Sequence, residues 1–254
     1  MQKHHRGSIT SQTGNEIAYV KTDGKTPGVI FFGGYMSDMS GTKAIALEIL
    51  ASEIGHSYVR FDYSGHGASA GLFENGTIST WTSDALAIFD QVTAGPQVLV
   101  GSSMGGWIML LIALARQERV HGLVGIAPAV DFTKSMLDEE LTEEQLGAMK
   151  RNGFIQIKSP YEAAPYKFTR ALLEDGAQHT LLDQPINLHC PVRLLHGVKD
   201  ESVPWQTSER LSTVLCSKNV EVLLIKNGDH RLSTTQDILR LQETVKKLIE
   251  LSGS

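Results

Sequence analysis

The apolar run Val98-Leu-Val100 enters Gly101-Ser102-Ser103-Met104-Gly105, and an apolar helical pattern follows from Trp107 to Ala115. This is a G-x-S-x-G set between a strand and a helix, the context of a nucleophile elbow. A turn that tight lifts the Ser103 hydroxyl off the strand end. Gly101 and Gly105 fall where strand and helix must approach closely, so a Cβ at either place would clash. The helix that starts here also aims unpaired backbone N–H groups at the site, which suits a developing negative charge.

A bare G-x-S-x-G recurs by chance, so the test is whether an acid and a histidine follow, each after a later strand. The run 191–196 reads as a short strand that turns away through Gly197-Val-Lys-Asp200. The run 220–225 reads as another, followed by Lys226-Asn-Gly-Asp-His230. Ser103, Asp200 and His230 therefore each sit on a loop just past a predicted strand. In a parallel sheet those strand ends share one edge, where ligand crevices form. His230 is expected to take the Ser103 proton as the hydroxyl attacks a carbonyl, while Asp200 orients the imidazole and stabilises its cation. Two alternatives for the acid are Glu201 next door and Asp131, which follows the predicted strand Val120–Ile126. Of nine histidines, His230 alone lies between the last predicted strand and the last helix. His4, His5, His56, His121, His179 and His189 read as surface or packing residues, and His196, inside a predicted strand, as a core histidine.

Acyl transfer also needs donors for the oxyanion. Met104, following the nucleophile, supplies one backbone N–H, and the second should come from the loop after an early strand. Strand 29–32 leads into Gly33-Gly-Tyr35-Met36, where Gly33 stands at the position of the usual His, Gly34 keeps the Gly, and Tyr35 offers its N–H. Gly34, Met36 and Trp107 are the expected substrate-facing residues.

At 254 residues and 41% hydrophobic, the chain can bury one sizeable core, and a single domain spanning 1–254 is expected. A formal net charge of −5 points to no polyanionic partner, so nucleic acid is not expected. Cys190 and Cys216 form no disulfide framework and read as reduced packing residues. No apolar run approaches the roughly 20 residues of a membrane span. The polar N-terminus has no signal-peptide apolar region and reads as lacking a transit segment, which makes cytoplasmic the expected location. Neither a metal nor a cofactor is expected.

Strands and helices alternate along the chain as in a parallel sheet. Residues 7–12 and 16–21 flank a Thr13-Gly-Asn15 turn and read as a hairpin. A helix over 42–54 ends at Gly55, strand 58–61 leads into the tight loop Asp62-Tyr-Ser-Gly-His-Gly67, and 79–92 is amphipathic. The alternation breaks over 131–185, where no core strand is evident. Thr142-Glu-Glu-Gln145 resembles a capping box opening a helix toward Lys150, 153–158 reads as extended, and 168–178 as a helix. An insertion beside the elbow reads as a lid over the site. Its apolar side chains Met136, Leu137, Leu146, Met149, Phe154, Ile155, Tyr161 and Tyr166 pack on the sheet, line an acyl site, or divide between the two.

Several further stretches carry a resemblance: Gly41-Thr-Lys-Ala44, Arg60-Phe-Asp-Tyr-Ser-Gly65, Gly95-Pro-Gln97 through Trp107, Arg193-Leu-Leu-His-Gly197 with Lys199-Asp200 and Val203-Pro-Trp205, and Asp229-His-Arg231. On these the chain resembles the α/β-hydrolase-fold serine hydrolases over nearly its full length. More narrowly it is similar to the mitochondrial branch that hydrolyses acyl glucuronides and palmitoyl-protein thioesters. The resemblance implies a mostly parallel central sheet flanked by helices, with Ser103, Asp200 and His230 as the triad. The expected activity is cofactor-independent cleavage of carboxylic esters or acyl thioesters through an acyl-enzyme on Ser103, with a small-molecule or acyl-protein substrate. A C–C bond hydrolase using the same triad, or a non-catalytic protein that binds a ligand or partner, are the alternatives. The oligomeric state is unknown.

Overall fold

The alternation of strand and helix read from the sequence is realised in an eight-stranded sheet. In the computed structural model, which describes residues 4–158 and 165–251, the strands are β1 (His4–Thr10), β2 (Glu16–Thr22), β3 (Lys25–Phe32), β4 (His56–Phe61), β5 (Gln97–Ser102), β6 (Val120–Ile126), β7 (Phe154–Ile157), β8 (Tyr166–Thr169), β9 (Val192–Gly197) and β10 (Val220–Ile225). The helices are α1 (Thr42–Ile54), α2 (Ile78–Val92), α3 (Met104–Ala115), α4 (Phe132–Ser135), α5 (Glu143–Asn152), α6 (Arg170–Gly176), α7 (Gln206–Val214) and α8 (Thr235–Glu250). Strand order is β1-β2-β4-β3-β5-β6-β9-β10. The hairpin β1-β2 joins β4 antiparallel, and from β4 onward neighbouring strands run parallel.

Alternation along β3 and β5 divides the core between the two faces of the sheet. Ile30, Phe32 and Leu99 are buried against α2 and α3 on one face. Val29, Phe31, Val98 and Val100 are buried against α1 and α8 on the other. Helix α3 presents no polar side: Trp107, Ile108, Met109, Leu110, Ile112 and Ala113 are all fully buried, as befits a helix covered all round. The helix ends follow local chemistry. Gly55 closes α1 in the left-handed conformation at φ 78°, where the missing Cβ removes the steric cost. Thr142 and Gln145 form the expected capping box at the start of α5.

Among the described residues, the stretch between β6 and β9 contributes no strand to the central sheet. It folds as α4, a π-helical turn (Met136–Glu140), α5, the two-stranded β7-β8 ribbon and α6. One expectation fails here. Residues 166–169, the first two of the helix expected over 168–178 among them, pair instead with β7 as a strand, Ile155 opposite Phe168. The helix starts at Arg170 because the Thr169 hydroxyl caps it, accepting from the Leu172 N–H at 3.2 Å. Of the apolar side chains singled out in this stretch, Met136, Met149 and Ile155 are buried in the core on the α2–α3 side. Tyr161 lies outside the described residues.

Candidate active site

The elbow is held in a conformation that a serine rarely adopts: Ser103 has φ 54° and ψ −124°. Such a position costs energy and persists only where the surroundings enforce it. Here the Ser103 N–H donates to the Ile126 carbonyl at 2.9 Å, and its carbonyl accepts from Gly106 at 2.8 Å and Ala129 at 3.0 Å. The end of β6 thus fastens the turn. The glycines are needed for space: a Cβ on Gly101 would lie 2.4 Å from the Gly105 oxygen, and one on Gly105 would lie 2.2 Å from the Phe32 oxygen.

The ends of β5, β9 and β10 bring Ser103, Asp200 and His230 into one hydrogen-bonded chain. His230 Nε2 is 3.0 Å from Ser103 Oγ, and His230 Nδ1 is 2.7 Å from Asp200 Oδ2. The Asp200 side chain is fully buried, and its other oxygen, Oδ1, accepts the N–H groups of Ser202 and Val203, both at 2.8 Å. Burial alone would push this carboxyl up. The hydrogen bonds from His196 and His230, the His230 charge and the Val203 N–H outweigh it and hold the group well below the usual carboxylate range.

The alternative acids are placed elsewhere. Asp131 is buried with its carboxylate accepting the Leu181 and Leu182 N–H groups at 2.8–3.0 Å, so it ties α4 to the far end of the insertion. Glu201 is exposed and lines the cavity rim.

That cavity encloses about 530 Å³ and opens over Ser103 and His230. Gly34, Tyr35, Met36 and Met104 line it, and Gly34 lies so close that a Cβ would stand 3.3 Å from Ser103 Cβ. Trp107 was expected in the lining and is not there. Its ring is fully buried, its Nε1–H donates to the His179 carbonyl at 3.2 Å, and it backs Phe132, which lines the cavity in its place. One wall is aromatic and aliphatic: Tyr35, Phe132, Met136, Ile157, Tyr166 and Phe168. The Tyr35 ring stacks on Phe168 at 4.9 Å with a 10° tilt, and its hydroxyl donates to the Lys167 carbonyl. The lining also carries polar side chains, among them Lys43, Glu201, Arg231 and Ser233. Lys43 donates to the Arg231 carbonyl at 2.6 Å. Burial, with the Arg231 charge adding to it, pushes its ammonium down to about 8.

Sequence reasoning named Met136 and Tyr166 but missed Phe132 and Phe168 in the aromatic wall, because they carry no motif. It read His196 as a core histidine, which holds, but not its contact with Asp200. Among the described residues, no three His, Cys, Asp or Glu side chains are grouped as a metal site, and no helix is long and apolar enough to cross a membrane.

A family model described as serine aminopeptidase, S33, matches residues 26–166. The human mitochondrial palmitoyl-protein thioesterase ABHD10 is 44% identical over 238 residues, covering 92% of this chain and 76% of that protein. The chain belongs to the α/β-hydrolase family. Among solved structures of this hydrolase family, mouse alpha/beta hydrolase domain-containing protein 10 superposes with a TM-score of 0.90 at 41% identity, covering 97% of this chain and 98% of that one. A hydrolase-family structure from Agrobacterium vitis superposes with a TM-score of 0.93 at 39% identity, covering 98% of this chain and all of the other. The chain is thus a hydrolase of the esterase and thioesterase type. The expected cytoplasmic location gains no support from the mammalian hydrolases, whose names place them in mitochondria.

Proposed function

We propose that this chain is a serine hydrolase that cleaves acyl thioesters and carboxylic esters through an acyl-enzyme on Ser103, with palmitoyl-type thioesters and acyl glucuronides as the favoured substrate classes. The observation that carries the reading is the unbroken run of hydrogen bonds from Ser103 Oγ through His230 to the buried Asp200 carboxylate. His230 Nε2 accepts the Ser103 proton as Oγ attacks the acyl carbon. Asp200 keeps the proton on His230 Nδ1 and stabilises the imidazolium that forms. The tetrahedral oxyanion lies between the backbone N–H groups of Tyr35 and Met104, each such donor being typically worth about 3–4 kcal/mol of barrier. The imidazolium then protonates the departing thiolate or alkoxide, and a water activated by the same base releases the acid.

The substrate class rests on the cavity and the relatives together. The aromatic and aliphatic wall offers an apolar surface to an acyl group, and the relatives named above include a palmitoyl-protein thioesterase. The stretch 131–185 acts as a lid in this reading, since Phe132, Met136, Ile157, Tyr166 and Phe168 all come from it. Each methylene of substrate buried there adds up to about 0.8 kcal/mol, so kcat/KM should climb with acyl length until the wall is covered. A hydrolysis screen over p-nitrophenyl esters and acyl-CoA thioesters of graded length tests this. No turnover of any thioester, or turnover independent of chain length, would overturn the substrate assignment. Full activity in Ser103→Ala would overturn the mechanism.

A further inference from the structure

We propose that His196 is a positioning residue of the same site: its Nε2–H holds the carboxylate oxygen of Asp200 that His230 uses, and thereby sets the basicity of His230. This rests on the reading that Asp200, His230 and Ser103 are the catalytic chain. The side chains of both His196 and Asp200 are completely buried. His196 Nε2 lies 3.2 Å from Asp200 Oδ2 and 3.1 Å from the Val203 carbonyl. Both neighbours are acceptors only, so Nε2 carries the proton and shares it between them. Nδ1 is then the unprotonated nitrogen, and it accepts the Ser208 hydroxyl at 2.7 Å. Ser208 is itself fully buried, in the first turn of α7. Its hydroxyl fixes the tautomer that points a donor at Asp200.

The consequence follows from sharing one oxygen. Asp200 Oδ2 accepts from His230 at 2.7 Å and from His196 at 3.2 Å. Every hydrogen bond accepted disperses the carboxylate charge, and a carboxylate so stabilised attracts a proton onto His230 less strongly. The His196 donor therefore tempers the pull of that oxygen on the His230 proton while fixing the oxygen to which His230 is bonded. Charged side chains facing the site from other elements are Asp38 and Lys43 after β3 and in α1, Glu140 and Lys158 from the insertion, and Glu201 and Arg231 beside Asp200 and His230. All stay unchanged in the variants below.

The test is the pH dependence of kcat/KM on a p-nitrophenyl ester for the parent, His196→Leu, His196→Gln and Ser208→Ala. The acid limb of that profile reports the base in the free enzyme. In His196→Leu its midpoint should rise by about one pH unit, the scale of one hydrogen bond to a charged group. His196→Gln, whose amide N–H can take the place of Nε2–H, should stay near the parent. Ser208→Ala, which frees the tautomer, should shift in the same direction by a smaller amount. KM should change little in all three, because His196 does not reach the cavity. A role in packing alone would lower kcat in His196→Leu and Gln alike and leave both midpoints unmoved, which would overturn the proposal. If His196→Leu does not fold, a parental midpoint in Ser208→Ala overturns it equally. Failure of the underlying reading is separate: it would appear as activity surviving Ser103→Ala.

Discussion

The Tyr35 hydroxyl donates to the Lys167 carbonyl, joining the loop after β3 to strand β8 across 132 residues of sequence. The same residue stacks its ring on Phe168 and lines the cavity together with Ser103. On the proposed mechanism, the docking of the insertion and the position of an oxyanion donor thus depend on one residue. Tyr35→Phe keeps the ring and removes the bond. It should lower stability by about 1 kcal/mol, the net worth of an ordinary hydrogen bond, or about 2–4 °C in Tm for a chain of this size. Calorimetry reads the first effect. Long-chain substrates should lose more kcat/KM than acetyl esters, and equal losses would sever the link between this bond and the acyl wall.

Ser103→Ala should lose about five to six decades of turnover if the chain of hydrogen bonds behaves as in subtilisin. A fluorophosphonate probe should label the parent on Ser103 and leave the variant unlabelled. Peptide mapping that finds the adduct on Ser102 would refute the assignment.

The two acids should separate cleanly. Asp200→Asn should cut turnover by up to about 10⁴ with the fold intact. Asp131→Ala should barely change kcat but should cost about 1–3 kcal/mol in urea unfolding, because the Leu181 and Leu182 N–H groups lose their acceptor. The reverse pattern would move the acid to the end of β6.

Much of this arrangement was legible in the sequence, and the failures have identifiable causes. Loop chemistry carried well: Gly55 ended α1, Thr142 opened α5, and the order Ser103, Asp200, His230 matched three strand ends on one sheet edge. Trp107 was misplaced because α3 is apolar on every side, so no polar face reveals which side meets the cavity. Strand β8 was misread because four residues offer too little alternation, and its pairing with β7 is decided across a loop. Burial of His196 was readable from its strand. The contact of its ring with Asp200, four residues on around a turn, was not.

Gly105 of the elbow and Gly33 of the loop after β3 give a graded test of packing. Gly105→Ala would set a Cβ 2.2 Å from the Phe32 oxygen, and backbone on both sides cannot yield. It should cost about 3 kcal/mol or more, seen as loss of soluble protein or a large fall in Tm. Gly33→Ala, whose Cβ would meet nothing nearer than 3.9 Å, should be close to neutral in the same assay. Equal tolerance at both positions would contradict the close strand–helix approach.

His66 supplies a pH signature of stability. Its ring is buried among Tyr63, Phe73 and Trp81, and burial pushes the imidazole below its usual value, with the Ser64 carbonyl and the Asp84 charge opposing in part. The unfolded chain therefore takes up the proton more readily than the folded one. The contribution of His66 is present above about pH 6.5, the ordinary histidine value, and is lost as pH falls below it. Urea unfolding between pH 7 and 5 should show a shallower loss in His66→Asn than in the parent. Identical slopes would mean that His66 titrates normally in the fold.

His230 stands 127 residues beyond Ser103, after β10 and ahead of α8. On the proposed mechanism, the nucleophile therefore leaves the ribosome during synthesis long before its base exists. Domains complete their folding only as the last segments of their chain emerge, so Ser103 stays a dormant hydroxyl until the final strand docks against β9. A fragment cut before Gly228 would carry the elbow and most of the cavity wall yet have no base to deprotonate the serine. On that mechanism, competence to form an acyl-enzyme is a property of the finished fold, acquired last.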